Sequence, residues 1–188
     1  MSEIFNVFPT TIYVGKVENH ENHKKDFLNI YDKFDYEENE RSSTVSEGQV
    51  NPLIHLEPSM DNMFREIVRH IKIYVLDTLK FKDMFNYSIT KTWISRTRDS
   101  KEIPFHIHST SHVSFVYYLN IPPYSHTTKF IDIENYNSLF LGANSQHTID
   151  DLNMVKEFTP LNSKTFFLHP KEGHVVLFPS RLTHGTEC

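Results

Sequence analysis

The pattern of apolar residues along this chain changes once, near residue 85, and that change limits the available folds more than any other feature. Before it, apolar residues recur at helical spacing. Phe27, Ile30, Tyr31 and Phe34 fall at steps of three and four and predict a short amphipathic helix within residues 22–34. Met60, Met63, Phe64, Ile67, Ile71, Tyr74, Val75 and Leu79 form one stripe of a longer helix, with Ser59 placed to cap it; the stripe reads as packing surface against a sheet. After the change come short β-rich segments at 87–95, 113–121, 128–133, 165–168 and 175–178, divided by Pro, Ser, Asn and Asp. Residues 4–14 read as a short strand or extended edge, and the polar, acidic residues 35–50 as a loop. Helices first and strands afterwards predict an α+β chain, mainly β, whose C-terminal half is an antiparallel sandwich or barrel. Its 188 residues fit a single domain, in which 1–85 supply an N-terminal strand and supporting helices and 86–188 the β core.

Composition removes several classes of function. The charge sum is −5, which argues against a broad basic face for nucleic acid or an anionic membrane. The only cysteine is Cys188, so the chain has neither an internal disulfide nor a thiolate cage for metal. A metal must be held by His, carboxylate or carbonyl groups. Apolar runs stop well short of the ~20 residues that span a bilayer, and the N-terminus carries no signal pattern, so the expectation is a soluble protein, cytoplasmic or host-intracellular.

Histidine is unevenly distributed: of 12, four precede residue 106 and eight follow from it. His106-Ile107-His108 stands before a strand-like run, and in extended chain the two imidazoles share a face. The best third partner is His184, which follows a turn at Gly173, a buried apolar strand and a bend at Pro179-Ser180. His112 is a candidate fourth ligand or hydrogen-bond donor to the site. His126, His147 and His169 read as solvated loop residues, and His174 as structural.

HIHSTSHVSFVYYLNIP from His106, GHVVLFPSRLTH from Gly173, Trp93 and the N-terminal FPTTIY together resemble the iron- and 2-oxoglutarate-dependent oxygenases. The likeness is in particular to the prolyl-hydroxylase-like branch and its uncharacterised bacterial and phage relatives. The resemblance implies a double-stranded β-helix, or jelly roll, with N-terminal flanking helices. It implies iron(II) and 2-oxoglutarate as cofactors, His106, His108 and His184 as metal ligands, and Tyr118 as a hydrogen-bond donor to the 2-oxoglutarate carboxylate. His112, Ser114 and Trp93 are candidate neighbours of those ligands. The implied reaction decarboxylates 2-oxoglutarate to succinate and hydroxylates an unactivated C–H bond of a protein side chain or small metabolite, with no nucleic acid or membrane partner.

Two departures from the family pattern bear on that expectation. His108 stands where a carboxylate is usual, so either the site uses three histidines, the preferred reading, or Asp132 or Glu134 completes it. The family's 2-oxoglutarate arginine lies about ten residues beyond the distal histidine, whereas Cys188 is four beyond His184. Arg181 precedes the histidine, and Arg96 and Arg98 are substitutes from another segment. The expectation is a jelly roll incomplete at its C-terminus. Residues 91–101, with Lys91, Arg96, Arg98 and Lys101, read as a solvated loop or as the rim of an anion site.

Other readings stay open. His106-x-His108-x3-His112 with Gly173-x5-Pro179-x-Arg181-x2-His184 also resembles the two cupin motifs, which implies a multi-histidine metal protein without 2-oxoglutarate. A non-enzymatic jelly-roll module would leave these histidines solvated. A zinc hydrolase has the imidazoles it needs but no general base that stands out.

Overall fold

The structure is a computed structural model, and it describes residues 2–34, 36, 44–45, 53–96, 102–121, 127–133, 156–157, 159–169 and 171–187. In chain order the strands are β1 (Tyr13–Lys16), β2 (Thr44–Val45), β3 (Ser95–Arg96), β4 (Val113–Tyr117), β5 (Thr127–Ile131), β6 (Thr165–Leu168), β7 (His174–Pro179) and β8 (Thr183–Glu187). The α-helices are α1 (His20–Leu28) and α2 (Asp61–Lys72). Among the described residues the named strands all pair antiparallel, in a sheet of order β1-β7-β4, a second of order β6-β5-β8, and the short pair β2-β3. Mixed helix and antiparallel sheet is the α+β arrangement expected.

β7 organises the interior because both of its faces are covered. Val175 and Leu177 point to the helical side, in one cluster with Val17, Phe27, Met60, Met63, Phe64, Ile67 and Tyr74. Val176 and Phe178 point the other way and join Phe130 of β5, so this second cluster ties the two three-stranded sheets together. The alternation is the period-two rule. Burial on both faces is why residues 175–178 read as an unbroken apolar run, and each of these side chains contributes roughly 1.5–3 kcal/mol by leaving water.

Several expectations need correction. The N-terminal strand is Tyr13–Lys16, not 4–14: Ile4, Phe5, Val7 and Phe8 are exposed, and Phe8 adopts φ +59° before Pro9, whose missing N–H cannot extend a ladder. The first helix spans His20–Leu28 and is followed by a separate 3₁₀ turn at Tyr31–Lys33. Ser59 does not cap the second helix. Pro58–Met60 form a 3₁₀ turn, and α2 starts at Asp61 without a side-chain cap. The helical path continues to Thr78 only by widening into a π-turn, Leu79 N–H bonding Tyr74 C=O at 2.9 Å. Residues 87–95 do not form the expected strand; beyond a parallel bridge at Thr92 to Leu53, pairing starts at Ser95. β8, by contrast, was not expected as a strand at all. Among the described residues no helix is long and apolar enough to cross a membrane.

Candidate metal centre

His184 sits second in β8, where its backbone pairs on both sides. Across from it on one side is Phe130 of β5. On the other, His106 and His184 exchange backbone hydrogen bonds, His106 N–H to His184 C=O at 2.9 Å and His184 N–H to His106 C=O at 3.1 Å. The same edge continues outward, where Thr186 N–H donates to Ile103 C=O at 3.0 Å and Ile103 N–H to Thr186 Oγ1 at 2.7 Å. Gly185 permits this approach: a Cβ there would lie 2.7 Å from Ile103 C=O. His108, two residues past His106, is held separately, its N–H donating to Ser180 C=O at 2.8 Å.

These contacts bring three imidazoles together. Ring centroids are 4.4 Å apart for His106 and His184, 4.9 Å for His106 and His108, and 5.0 Å for His108 and His184. One nitrogen of each lies within 4.8 Å of the others. Two of the tautomers follow from simple chemistry. His106 Nδ1 is 2.8 Å from Pro104 C=O and His184 Nδ1 2.8 Å from Leu182 C=O. A carbonyl only accepts, so both Nδ1 atoms carry the proton and both Nε2 lone pairs are left for another ligand, which is the orienting arrangement typical of metal-bound histidine. His184 is buried against Phe178 and Phe130, at 4.6 and 6.2 Å between centroids. Burial pulls its pKa down to about 4; the Leu182 carbonyl opposes that, and His106 and His108 nearby add to it. It is therefore neutral near pH 7.

The donor set fits a first-row divalent ion, for which neutral imidazole is a suitable ligand. Among the described residues no carboxylate joins the three histidines. Asp132, at the end of β5, is exposed and donates its backbone N–H to Lys164 C=O; Glu134, the other candidate carboxylate, lies outside the described residues. His112 is exposed and enters the site only through its backbone carbonyl, which accepts Ser180 N–H at 3.1 Å. Trp93 packs its ring 5.2 Å from that of His108, and Lys91 Nζ lies over the Trp93 ring, 5.4 Å from its centroid. Ser114 Oγ bonds Ser180 Oγ at 2.8 Å. His174 bonds Glu172 C=O through Nδ1 and stands apart from the three, and so does His169; His126 and His147 lie outside the described residues.

A cavity of about 2130 Å³ opens beside the imidazoles, between α2, residues 85–96 and β4. Tyr118 lines it, its hydroxyl 2.7 Å from Thr128 Oγ1, and burial raises the phenol pKa, so the group is a neutral hydrogen-bonding partner. Lys24, Lys91 and Arg96 also line it, and no described lining residue is acidic. Arg96 Nη1 donates to Tyr31 Oη at 2.7 Å, its face lies 4.2 Å from the Tyr36 ring, and its Nε is buried with no hydrogen-bond partner among the described residues. Arg181 is exposed, while Arg98 and Lys101 lie outside the described residues.

A second set, His20, Glu21 and Glu172, also has ligand-like spacing. The Glu172 carboxylate of this set is already taken. Lys24 Nζ lies 2.6 Å from Glu172 Oε1 and Ile121 N–H donates to Oε2 at 2.8 Å, which holds the carboxyl near pKa 2. His20 bridges to Tyr117 Oη at 2.7 Å. This network fastens α1 to the β4–β7 layer. The residues that sequence reasoning missed are Ser180, Ser111, Thr128 and Gly185; Ser180 and Ser111 both lie within the two histidine-bearing motifs, where Pro179-Ser180 reads as a bend and Ser111 carries no assigned role.

The sequence model of a family described as "Putative 2OG-Fe(II) oxygenase" matches residues 91–188, which include His106, His108, Tyr118 and His184. No curated protein matches the chain.

Proposed function

The chain belongs to this 2OG-Fe(II) oxygenase family, and from that premise we propose that it is an iron(II)- and 2-oxoglutarate-dependent dioxygenase that hydroxylates its substrate, with His106, His108 and His184 as the metal ligands. The observation that carries the reading is the pair of Nδ1-to-carbonyl hydrogen bonds, which leave two Nε2 lone pairs free inside a group of three converging imidazoles.

When bound, iron(II) with 2-oxoglutarate and dioxygen supplies oxidative decarboxylation to succinate and carbon dioxide, coupled to transfer of one oxygen atom into a C–H bond. The chain's residues supply the setting. Three neutral imidazoles leave the ion's two positive charges uncompensated by protein, so a dianionic cosubstrate such as 2-oxoglutarate neutralises the centre more completely here than beside a carboxylate ligand. Tyr118, its hydroxyl pre-set by Thr128, donates to a cosubstrate carboxylate, and Lys91 and Arg96 make the cavity favourable for anions. Trp93 shields one side of His108, and Phe130 and Phe178 keep water from His184. The two sheets joined through Phe130, Val176 and Phe178 read as facing sheets of a jelly roll. The cavity exceeds the ~300–1,000 Å³ usual for one small molecule, which favours a bulky substrate such as a side chain carried on a polypeptide.

The test is cosubstrate turnover. With iron(II) and air, the wild-type chain is expected to release succinate from 2-oxoglutarate and to melt higher when both are present, and His184→Ala and His106→Ala are expected to do neither. Tight metal binding with no response to 2-oxoglutarate would move the chain to the multi-histidine reading without that cosubstrate.

A further inference from the structure

The three imidazoles hang on two segments, and only two of them are tied directly. His106 and His184 are joined by their reciprocal backbone bonds. His108 lies beyond that bridge, and its backbone is fixed instead by Ser180, in the turn between β7 and β8. Ser180 is 1 % exposed and makes four hydrogen bonds, all to residues 108–114. Its carbonyl accepts His108 N–H at 2.8 Å, and its N–H donates to His112 C=O at 3.1 Å. Its hydroxyl lies 2.9 Å from Ser111 Oγ and 2.8 Å from Ser114 Oγ.

We propose that Ser180 is a positioning residue for the metal centre: its buried hydroxyl, shared by Ser111 and Ser114, clamps the turn after β7 to the turn after His108 and so sets the third imidazole against His106 and His184. This inference rests on the metal reading of the three histidines. A hydroxyl has one proton and two lone pairs, so Ser180 donates to at most one of the two serines and accepts from at least one, and it can hold both bonds at once. With almost no exposure, water cannot take its place. The two ends of the clamp are far apart in sequence but only four residues from His184 on one side and three from His108 on the other. A slip of the turn therefore moves His108 relative to His184, while the His106–His184 bridge can stay closed.

The test compares Ser180→Ala with Ser114→Ala, which spares Ser180 itself, and with Val17→Ala, a core change on the helical side of β7. Cobalt(II) is titrated into each protein, the visible spectrum of the bound ion is recorded, and hydrogen exchange of the His108 amide is followed without metal. Ser180→Ala is expected to weaken cobalt binding roughly ten- to a hundredfold, to change the spectrum and to speed exchange at His108. Ser114→Ala should do the same to a smaller degree. Val17→Ala should lower the melting temperature and leave all three readouts alone. Serine variants that lose stability but keep wild-type cobalt affinity, spectrum and His108 exchange would overturn the proposal. A wild-type chain that binds no cobalt would instead sink the metal reading, and the His108 exchange rates would still show whether the clamp exists.

Discussion

Burial among Phe130 and Phe178 separates His184 from its two half-buried partners and makes its charge state depend on folding. Its pKa is about 4 when folded and near 6.5 when not. Between those values the unfolded chain binds the extra proton, so stability is full above pH ~6.5 and is lost as pH falls toward 4. Thermal melts of the metal-free protein should show this loss, and His184→Gln should flatten the curve over that window. A wild-type curve no steeper than the variant's would contradict the burial argument. Glu172 acts lower: held near pKa 2 by Lys24, the Ile121 amide and His20, it contributes stability above pH ~4.5 that is lost as pH falls toward 2. Tyr118→Phe removes one hydroxyl from a part-buried pair and leaves the ring. It should cost about 1 kcal/mol of stability and weaken 2-oxoglutarate binding, read as a smaller melting shift per unit of cosubstrate. An unchanged shift would return Tyr118 to a purely packing role.

Two glycines at opposite ends of the β7–β8 unit separate folding from site geometry. Gly173 turns the chain into β7 with φ +77°, against the His20 ring. Gly173→Ala should cost about 1–2 kcal/mol through the left-handed backbone and leave metal affinity alone, since the site lies at the far end of the strand. Gly185→Ala places a Cβ against Ile103 C=O. The segment 103–106 must then move off β8 and take His106 with it, so this variant should lose metal affinity as well as stability. Equal metal affinity in the two variants would show that the His106–His184 bridge does not set the site. The elements that sequence made legible were those whose patterns are local. The run 175–178 announced a strand buried on both faces, and His106-x-His108 announced two imidazoles on one side. β8 was not legible because residues 183–187 have little strand propensity of their own; pairing with β5 and with 103–106 makes them a strand. Residues 87–95 failed in the opposite sense, with strand-like composition but pairing confined to Thr92 and Ser95. The Ser180 clamp was hidden because its partners are more than 60 residues away.

Across the whole molecule, acidic residues outnumber basic ones by 24 to 19, yet the described lining of the cavity carries no carboxylate, and besides Lys24, which is paired with Glu172, it carries Lys91 and Arg96. On the proposed reading, a chain of net negative charge presents its anionic cosubstrate with a lining free of described carboxylates. Cosubstrate affinity should therefore fall as salt rises from about 0.01 to 0.15 M, as the Debye length shrinks from ~30 to ~8 Å, and Arg96→Gln should reduce that dependence. An affinity indifferent to salt would mean that the metal alone recognises the anion. The central claim, that three histidines hold one iron(II) open to 2-oxoglutarate, is tested most directly by adding 2-oxoglutarate without oxygen to the iron-loaded protein and recording its charge-transfer absorption. The account predicts a band that saturates at one iron and one 2-oxoglutarate per chain and disappears in His106→Ala, His108→Ala and His184→Ala. A wild-type protein that binds iron without developing the band, or a band that survives loss of His184, would contradict it.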